Sequence, residues 1–166
     1  MESNLNDLEG LRIAMDIESR GYRFYQMAYD KFSDPKTKEL FKTLRDEEEV
    51  HLQTFTKYFE EIEKTKEAHS TEYLFDDEYS GYLTALAETH VFPKEKDAAQ
   101  ALSAIKTPVD ALRLALQAEK DSVLFYGELV ECSKFESARE VFGRLREEER
   151  HHTVAIAKRL ALLRQG

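Results

Sequence analysis

Hydrophobic residues recur at alternating spacings of three and four along four long segments of the chain. This spacing places apolar side chains on one face of an α-helix, as in the helices of a bundle. The connection between the second and third segments contains a further amphipathic stretch, which predicts a short fifth helix at Glu72–His90. The pattern therefore predicts an all-α fold whose long helices span residues 6–31, 35–67, 108–131 and 135–164.

The predicted helix starts carry residues that favour the first turn of a helix. Side chains such as Asn, Asp, Ser and Thr accept hydrogen bonds from free backbone N–H groups, and proline suits the first helical position. The four signals are Asn6-x-x-Glu9, Asp34-Pro35, Thr107-Pro108-x-Asp110 and Ser133-x-x-Glu136.

The second half of the sequence repeats the first half at an offset of 101 residues without a gap. A single duplication of this length indicates two similar helical hairpins that face each other in one domain over residues 1–166. The predicted repeat halves span about residues 6–67 and 107–166, and the crossover between them spans about residues 68–106. Matching residues include Glu18 and Glu119, Phe24-Tyr25 and Phe125-Tyr126, Glu47-Glu48 and Glu148-Glu149, and His51 and His152.

Each apolar face is interrupted near its middle by a glutamate, and two of these glutamates are followed by a histidine three residues later. Within each hairpin the two glutamates are equidistant from the predicted turn, so all four are expected at one level in the core. Residues three apart on a helix point the same way. The six positions are Glu18, Glu48, His51, Glu119, Glu149 and His152. The flanking Glu47, Glu49, Glu147 and Glu148 lie off this face and are predicted to face solvent.

Four carboxylates at one level of a core need neutralisation, because burying one unpaired carboxylate costs several kcal/mol. Protons could neutralise the carboxylates if burial raised their pKa values, or bound cations could neutralise them. The two histidines favour cations, since neutral imidazole is a metal ligand and two divalent ions balance four negative charges. Carboxylates with one imidazole per ion suit iron or manganese better than calcium, and the ligand types do not separate iron from manganese.

Composition and charge narrow the class of protein further. The chain has 24 basic and 33 acidic residues, a net charge of −9, which argues against nucleic-acid binding. The acidic, polar N-terminus is unlike a signal peptide, and no apolar run reaches the ~18 residues of a membrane span. We therefore expect a cytoplasmic protein. The single cysteine, Cys132, excludes an intrachain disulfide and a cysteine-based metal cluster.

The six residues match the ferritin-like di-iron pattern, in which two helices supply a glutamate and two supply Glu-x-x-His. The repeated Phe-Tyr pair, six and seven residues after Glu18 and after Glu119, makes the chain resemble rubrerythrins. This resemblance implies a ferritin-like four-helix bundle, a carboxylate-bridged centre of two iron ions and a homodimer. It also implies the ligand roles: Glu48 and Glu149 as bridges, Glu18 and Glu119 as terminal ligands, and His51 and His152 on one ion each.

The same resemblance implies an oxidoreductase that reduces hydrogen peroxide or dioxygen in defence against oxidative stress, with manganese or zinc as substitute metals. The sequence ends at Gly166 without the rubredoxin domain and its CxxC pairs, so electrons are expected from an external donor protein such as a rubredoxin. Ser122 stands where many rubrerythrins carry a further glutamate associated with peroxide reduction. An iron-oxidising or iron-handling protein, and a metal-stabilised bundle without enzymatic activity, are the alternatives.

Two tyrosines and three further histidines complete the candidate residues. Tyr25 and Tyr126 follow Glu18 and Glu119 by two helical turns, either as ordinary core aromatics or as hydrogen-bond partners of the carboxylates and proton donors. The remaining histidines fall outside the pattern and are interpreted as surface or crossover residues: His69, His90 and His151.

Overall fold

The computed structural model describes residues 4–165, and within them four long helices and two short ones account for most of the chain. Short 3-10 turns at Glu67–His69, Thr71–Tyr73 and Glu95–Asp97 interrupt the crossover. The helices are α1 (Asp7–Lys31), α2 (Pro35–Glu63), α3 (Asp77–Thr89), α4 (Ala98–Ala104), α5 (Pro108–Cys132) and α6 (Glu136–Gln165).

The long helices form two hairpins, in which α1 packs along α2 and α5 packs along α6. The crossover with α3 and α4 joins the hairpins, and α3 packs mainly on α5. The predicted all-α bundle of two hairpins with an extra helix in the crossover is therefore confirmed. Within residues 4–165, no helix combines the length and the apolar character that a membrane crossing requires.

Three of the four predicted helix caps are present. The Asn6 side chain accepts a hydrogen bond from the Glu9 amide at 3.0 Å. Asp34 accepts one from the Thr37 amide at 2.9 Å. Thr107 and Asp110 form a reciprocal capping box: the Asp110 amide donates to Thr107 Oγ1 at 3.1 Å and the Thr107 amide donates to Asp110 Oδ2 at 2.9 Å. These caps satisfy N–H groups that have no partner within the helix.

The fourth predicted cap, at Ser133, is wrong. The Ser133 hydroxyl points backwards and donates to the Leu129 carbonyl at 2.6 Å, at the end of α5. In place of Ser133, the buried carboxylate of Asp7 accepts a hydrogen bond in this turn, from the Lys134 amide at 3.0 Å. A residue 127 positions away therefore satisfies the turn before α6.

The boundaries of α2 and of the crossover helices differ from the prediction. α2 ends at Glu63 because Thr65 turns its amide and its hydroxyl onto the Ile62 carbonyl, at 2.9 and 2.7 Å. The predicted Glu72–His90 helix begins only at Asp77. α4 was not predicted, since its seven residues are too few for a clear apolar period.

The hydrophobic core consists of two clusters that lie on opposite sides of one polar level. One cluster takes Leu11 from α1, Phe55 from α2 and Phe142 from α6. The other cluster contains buried residues from the opposite halves of the same helices, such as Phe41 of α2 and Ile156 of α6. On all four long helices, the polar positions predicted from the sequence fall between the two clusters. The fold thus surrounds these positions with apolar layers above and below.

Candidate metal centre

The six predicted side chains meet in the middle of the bundle. Each comes from the central turns of a long helix, with Glu18 on α1 and Glu119 on α5. α2 supplies Glu48 and His51, and α6 supplies Glu149 and His152. None of these residues is more than 4% exposed, so the cluster is closed off from bulk water.

The cluster divides into two overlapping groups of four ligand atoms. In each group the atoms lie within 4.8 Å of one another, which is compact enough to surround a metal ion. Glu48 and Glu149 belong to both groups, so the two groups share these carboxylates. The first group adds Glu18 and His51, and the second adds Glu119 and His152.

Several polar atoms in this cluster have no hydrogen-bond partner although they are buried. Buried polar atoms are nearly always satisfied in folded proteins, so such orphans need an explanation. His152 Nδ1 lies 2.9 Å from Glu149 Oε2 without hydrogen-bond geometry. Cations placed among these atoms would satisfy them, and carboxylates with imidazole suit iron or manganese. The residues therefore fit a pair of metal ions. The orphans are Glu48 Oε1, Glu119 Oε2, Glu149 Oε1, Glu149 Oε2 and His152 Nδ1.

Burial and mutual repulsion drive two of the glutamates towards their neutral form. Burial, together with the negative charges of Glu18 and Glu149, raises the pKa of Glu48 well above its usual range. Burial and the charge of Glu149 raise the pKa of Glu119 to about 7. Closely spaced carboxylates cannot all ionise in a water-poor core without a compensating charge.

The other members of the cluster shift towards their charged forms. Burial alone would lower the pKa of His51 and of His152, but the surrounding carboxylates outweigh it and raise both pKa values above their usual range. Burial likewise acts to raise the pKa of Glu18, but hydrogen bonds from Glu48 and His51 hold that pKa below its ordinary value. Bound cations would compete with these protons for the cluster.

Two tyrosine hydroxyls reach the cluster across the interface between the hairpins. Tyr25 on α1 donates to Glu119 on α5, and Tyr126 on α5 donates to Glu18 on α1. Both tyrosines are fully buried. Burial and the charge of the neighbouring carboxylates, Glu119 for Tyr25 and Glu18 for Tyr126, raise the pKa of each phenol well above its usual range. Each hydroxyl therefore keeps its proton and directs it at a carboxylate.

Glu47 and Glu148 lie off the apolar face and reach solvent, as predicted, but each also contacts a buried histidine. Glu148 Oε2 lies 2.8 Å from His51 Nε2, and Glu47 Oε2 lies 2.8 Å from His152 Nε2. The glutamate side chains remain 42% and 51% exposed, so one end of each contacts water and the other contacts a buried ring. The offset of 101 residues relates these two contacts as well, which was the available sequence signal. Glu49 and Glu147 are exposed, as predicted.

His90 lies in the crossover, as predicted, but it is buried, whereas His69 and His151 are exposed. His90 is buried at the end of α3, where its Nε2 lies 3.0 Å from Ser122 Oγ. Its Nδ1 accepts a hydrogen bond from the Phe92 amide at 3.3 Å. The crossover therefore packs onto α5 one turn beyond Glu119. The sequence could not predict this burial, because the segment around His90 is irregular and has no periodic pattern.

A four-helix bundle with a crossover and a buried, repeat-related cluster of glutamates and histidines defines a ferritin-like carboxylate protein. The family model described as Rubrerythrin matches residues 9–161. The chain therefore belongs to the rubrerythrin family.

A solved structure of similar fold comes from a Thermotoga maritima protein that is proposed to be a ferritin-like diiron-carboxylate protein. It is 22% identical to this chain and superposes with a TM-score of 0.73. The match covers 97% of this chain and 98% of that one, so the likeness extends over the whole bundle. No curated protein matches the sequence significantly.

Proposed function

We propose that the protein is a di-iron oxidoreductase that reduces hydrogen peroxide or dioxygen with electrons from an external donor protein. The observation that carries this proposal is the pair of four-residue groups that share Glu48 and Glu149. Two ions held at bridging distance can deliver two electrons together, which one isolated ion cannot. Membership of the rubrerythrin family supports the same assignment.

The ligand roles follow from which residues the two groups share. Glu48 and Glu149 would each bind both ions. The first ion would also take Glu18 and His51, and the second Glu119 and His152. Each set then contains oxygen and imidazole nitrogen, a combination that iron prefers and that manganese or zinc also accepts.

A ferrous pair supplies two electrons, and hydrogen peroxide takes them up with two protons to give two water molecules. Tyr25 and Tyr126 hold protons at the carboxylates of Glu119 and Glu18. Their high pKa values keep the hydroxyls protonated between turnovers. Two electrons from the external donor would restore the reduced form of the ion pair.

Aromatic rings around the tyrosines limit water at the centre. Tyr25 packs edge-on against Phe92 with ring centroids 5.6 Å apart, and Tyr126 packs against Phe55 at 5.3 Å. Both phenylalanines are buried. This environment favours small oxidants over large substrates and keeps charged groups in a medium of low dielectric constant.

Stopped-flow oxidation of the reduced, iron-loaded protein tests the proposal. We expect hydrogen peroxide or dioxygen to oxidise the centre rapidly, and a reduced rubredoxin to restore it over repeated cycles. The faster of the two oxidants identifies the substrate. Tyr29→Phe removes the hydroxyl of a ring that packs against Lys38 away from the cluster, and it should behave like the wild type in this experiment.

Two outcomes would overturn the proposed activity. Iron release or mineral growth without catalytic turnover would indicate an iron-handling protein. Absence of bound metal after growth in iron-supplemented medium, with a melting temperature unchanged by chelators, would indicate a bundle without enzymatic activity. The homodimer and the cytoplasmic location stay predictions that sedimentation and fractionation can check.

A further inference from the structure

An irregular piece of the crossover, residues 90–93, lies across α1 and α5 beside the candidate metal centre. We call it the covering segment. On α5, His90 Nε2 lies 3.0 Å from Ser122 Oγ. On α1, a Cβ at Gly21 would lie 3.1 Å from the Phe92 ring. The covering segment therefore connects the two hairpins on the side of the bundle formed by α1 and α5.

The Phe92 ring lies close to the predicted metal ligands. The Cβ that would meet this ring at Gly21 would also lie 3.2 Å from the carboxyl carbon of Glu48, so the ring and the carboxylate lie against the same glycine. The ring centroid is 5.6 Å from that of Tyr25, whose hydroxyl donates to Glu119. With 2% exposure, Phe92 separates this side of the cluster from water.

The two helix positions under the covering segment are related by the repeat. Gly21 and Ser122 are 101 residues apart, and they follow Glu18 and Glu119 by three residues. Residues three apart on a helix lie on the same face, so both positions lie one turn from a predicted ligand. Both residues are small. They leave room for crossover side chains next to the centre.

Side-chain hydrogen bonds hold the covering segment in place. The Val91 amide donates to Asp121 Oδ2 at 3.2 Å, and the Phe92 amide donates to His90 Nδ1 at 3.3 Å. Burial lowers the pKa of His90, so the ring is neutral at pH 7 and carries its proton on Nε2. The Ser122 oxygen accepts from Nε2–H, since the hydroxyl proton is donated to a carbonyl one turn earlier at 3.2 Å.

The covering segment is the part of the enclosure that can open at least cost. The long helices form the other walls, and opening them would break regular backbone hydrogen bonds. The covering segment lies instead between α3 and the 3-10 turn at Glu95–Asp97, and irregular segments open locally at lower free energy than helices in a core.

We propose that Phe92 determines which molecules reach the metal centre. None of the six predicted ligands is more than 4% exposed, so an ion or an oxidant arrives only when part of the enclosure moves. Movement of Phe92 away from Gly21 opens the side between α1 and α5. A narrow opening admits hydrogen peroxide or dioxygen and excludes alkyl hydroperoxides. The choice of oxidant rests on the proposed function, whereas the entry route applies to any metal ion.

Zinc release from the full-length protein tests the entry route without an oxidant, because zinc binds the same ligand types. In excess EDTA, Phe92→Ala should release zinc about 10-fold faster than the wild type, since a sparsely populated open state becomes more populated. Ser122→Ala removes the oxygen that His90 contacts and should also accelerate release. It provides a second measurement if Phe92→Ala fails to fold.

Phe75→Ala is the matched control for a general loss of stability. Phe75 is also a buried phenylalanine of the crossover, but it belongs to the other hydrophobic cluster. We expect a comparable fall in melting temperature and a rate of zinc release close to that of the wild type.

Single-turnover oxidation of the iron-loaded protein tests the choice of oxidant. Hydrogen peroxide takes two electrons from the ferrous pair and two protons to give two water molecules. tert-Butyl hydroperoxide takes the same electrons and protons to give tert-butanol and water. The wild type should react faster with hydrogen peroxide, and this preference should fall about 10-fold in Phe92→Ala but persist in Phe75→Ala.

The outcomes distinguish this inference from the proposed function. If Phe92→Ala and Ser122→Ala release zinc at the wild-type rate, or if Phe75→Ala accelerates release equally, the entry route is wrong and the metal centre stands. An unchanged preference for hydrogen peroxide in Phe92→Ala would overturn the role of Phe92 in selecting the oxidant. If neither hydrogen peroxide nor dioxygen oxidises the wild type, the proposed function is wrong, and zinc release still tests the entry route.

Discussion

The hydroxyl of Tyr126 on α5 donates a hydrogen bond to Glu18 on α1, a residue 108 positions earlier in the chain. The repeat-related Tyr25 makes the same contact with Glu119 in the opposite direction. Sequence spacing alone would have matched each tyrosine with the glutamate two turns away on its own helix. In the structure each tyrosine instead contacts the glutamate of the other hairpin, so each hairpin supplies a hydrogen-bond donor to a carboxylate of the other.

Removing one tyrosine hydroxyl should weaken metal binding at one of the two groups. Tyr126→Phe keeps the buried ring but deprives Glu18 of its donor, and we expect one of the two binding steps to weaken about 10-fold. Tyr25→Phe should weaken one step in the same way through Glu119, and the double variant should weaken both. Isothermal titration with zinc measures these steps. Two wild-type affinities in Tyr126→Phe would show that the hydroxyl does not support the site.

Gly21 has no side chain, and the Glu48 carboxylate lies close to its backbone. A Cβ at Gly21 would lie 3.1 Å from the Phe92 ring and 3.2 Å from the Glu48 carboxyl carbon, which is tighter than ordinary contact. We therefore expect Gly21→Ala to displace Glu48 or Phe92 and to lower both the melting temperature and the metal content. Thermal unfolding with and without zinc measures the two effects.

Gly127 on α5 provides the control for this substitution. Its Cβ would meet only the Arg146 side chain at 3.6 Å, an ordinary van der Waals contact. Since alanine is the better helix former, Gly127→Ala should raise the free energy of unfolding by up to about 1 kcal/mol. A Gly21→Ala protein that gains stability and binds metal normally would contradict the close packing over Glu48.

The carboxylate of Asp7 supports the turn before α6 and makes stability depend on pH. Burial raises the pKa of Asp7 and outweighs the hydrogen bond from the Lys134 amide. The pKa of Asp7 in the folded protein lies above the ordinary 3.8, so protonation of Asp7 favours the folded state. Its contribution to the free energy of unfolding is complete below pH 3.8 and is lost as the pH rises through the pKa of the folded protein.

Two substitutions at Asp7 separate its charge from its hydrogen bond. Asp7→Asn keeps an acceptor without the charge, so its melting temperature should match or exceed that of the wild type at pH 7. That advantage should shrink as the pH falls towards 4. Asp7→Ala leaves the Lys134 amide without its acceptor and should lose about 1 kcal/mol at every pH. Equal destabilisation by both variants at pH 7 would contradict this account.

The fold and the six-residue cluster could be predicted because both depend on helical periodicity and on the repeat. A glutamate on an apolar face, such as Glu48, contradicts the pattern around it and therefore stands out. Glu148 lies one residue off that face, and a long side chain at the edge of a helix can turn inwards or outwards. Its contact with His51 depends on the spacing between α2 and α6, which local sequence does not encode.

The crossover shows the other limit of sequence reasoning. His90 follows α3 in a segment without apolar period, and only the packing of that segment on Ser122 buries it. Ser133 has the spacing of a capping residue, but Asp7 competes for the same turn from the far end of the chain. The burial of His90 and the failure of the Ser133 cap both arise where tertiary contacts override a local preference.

The most direct test of the account is the iron content of the purified protein after anaerobic loading with ferrous iron. We predict two iron ions per chain in the wild type, fewer than two in Glu48→Ala, and two in Glu49→Ala, whose side chain is exposed. Full occupancy of two ions in Glu48→Ala, or loss of iron in Glu49→Ala, would contradict the assignment of Glu48 as the shared ligand.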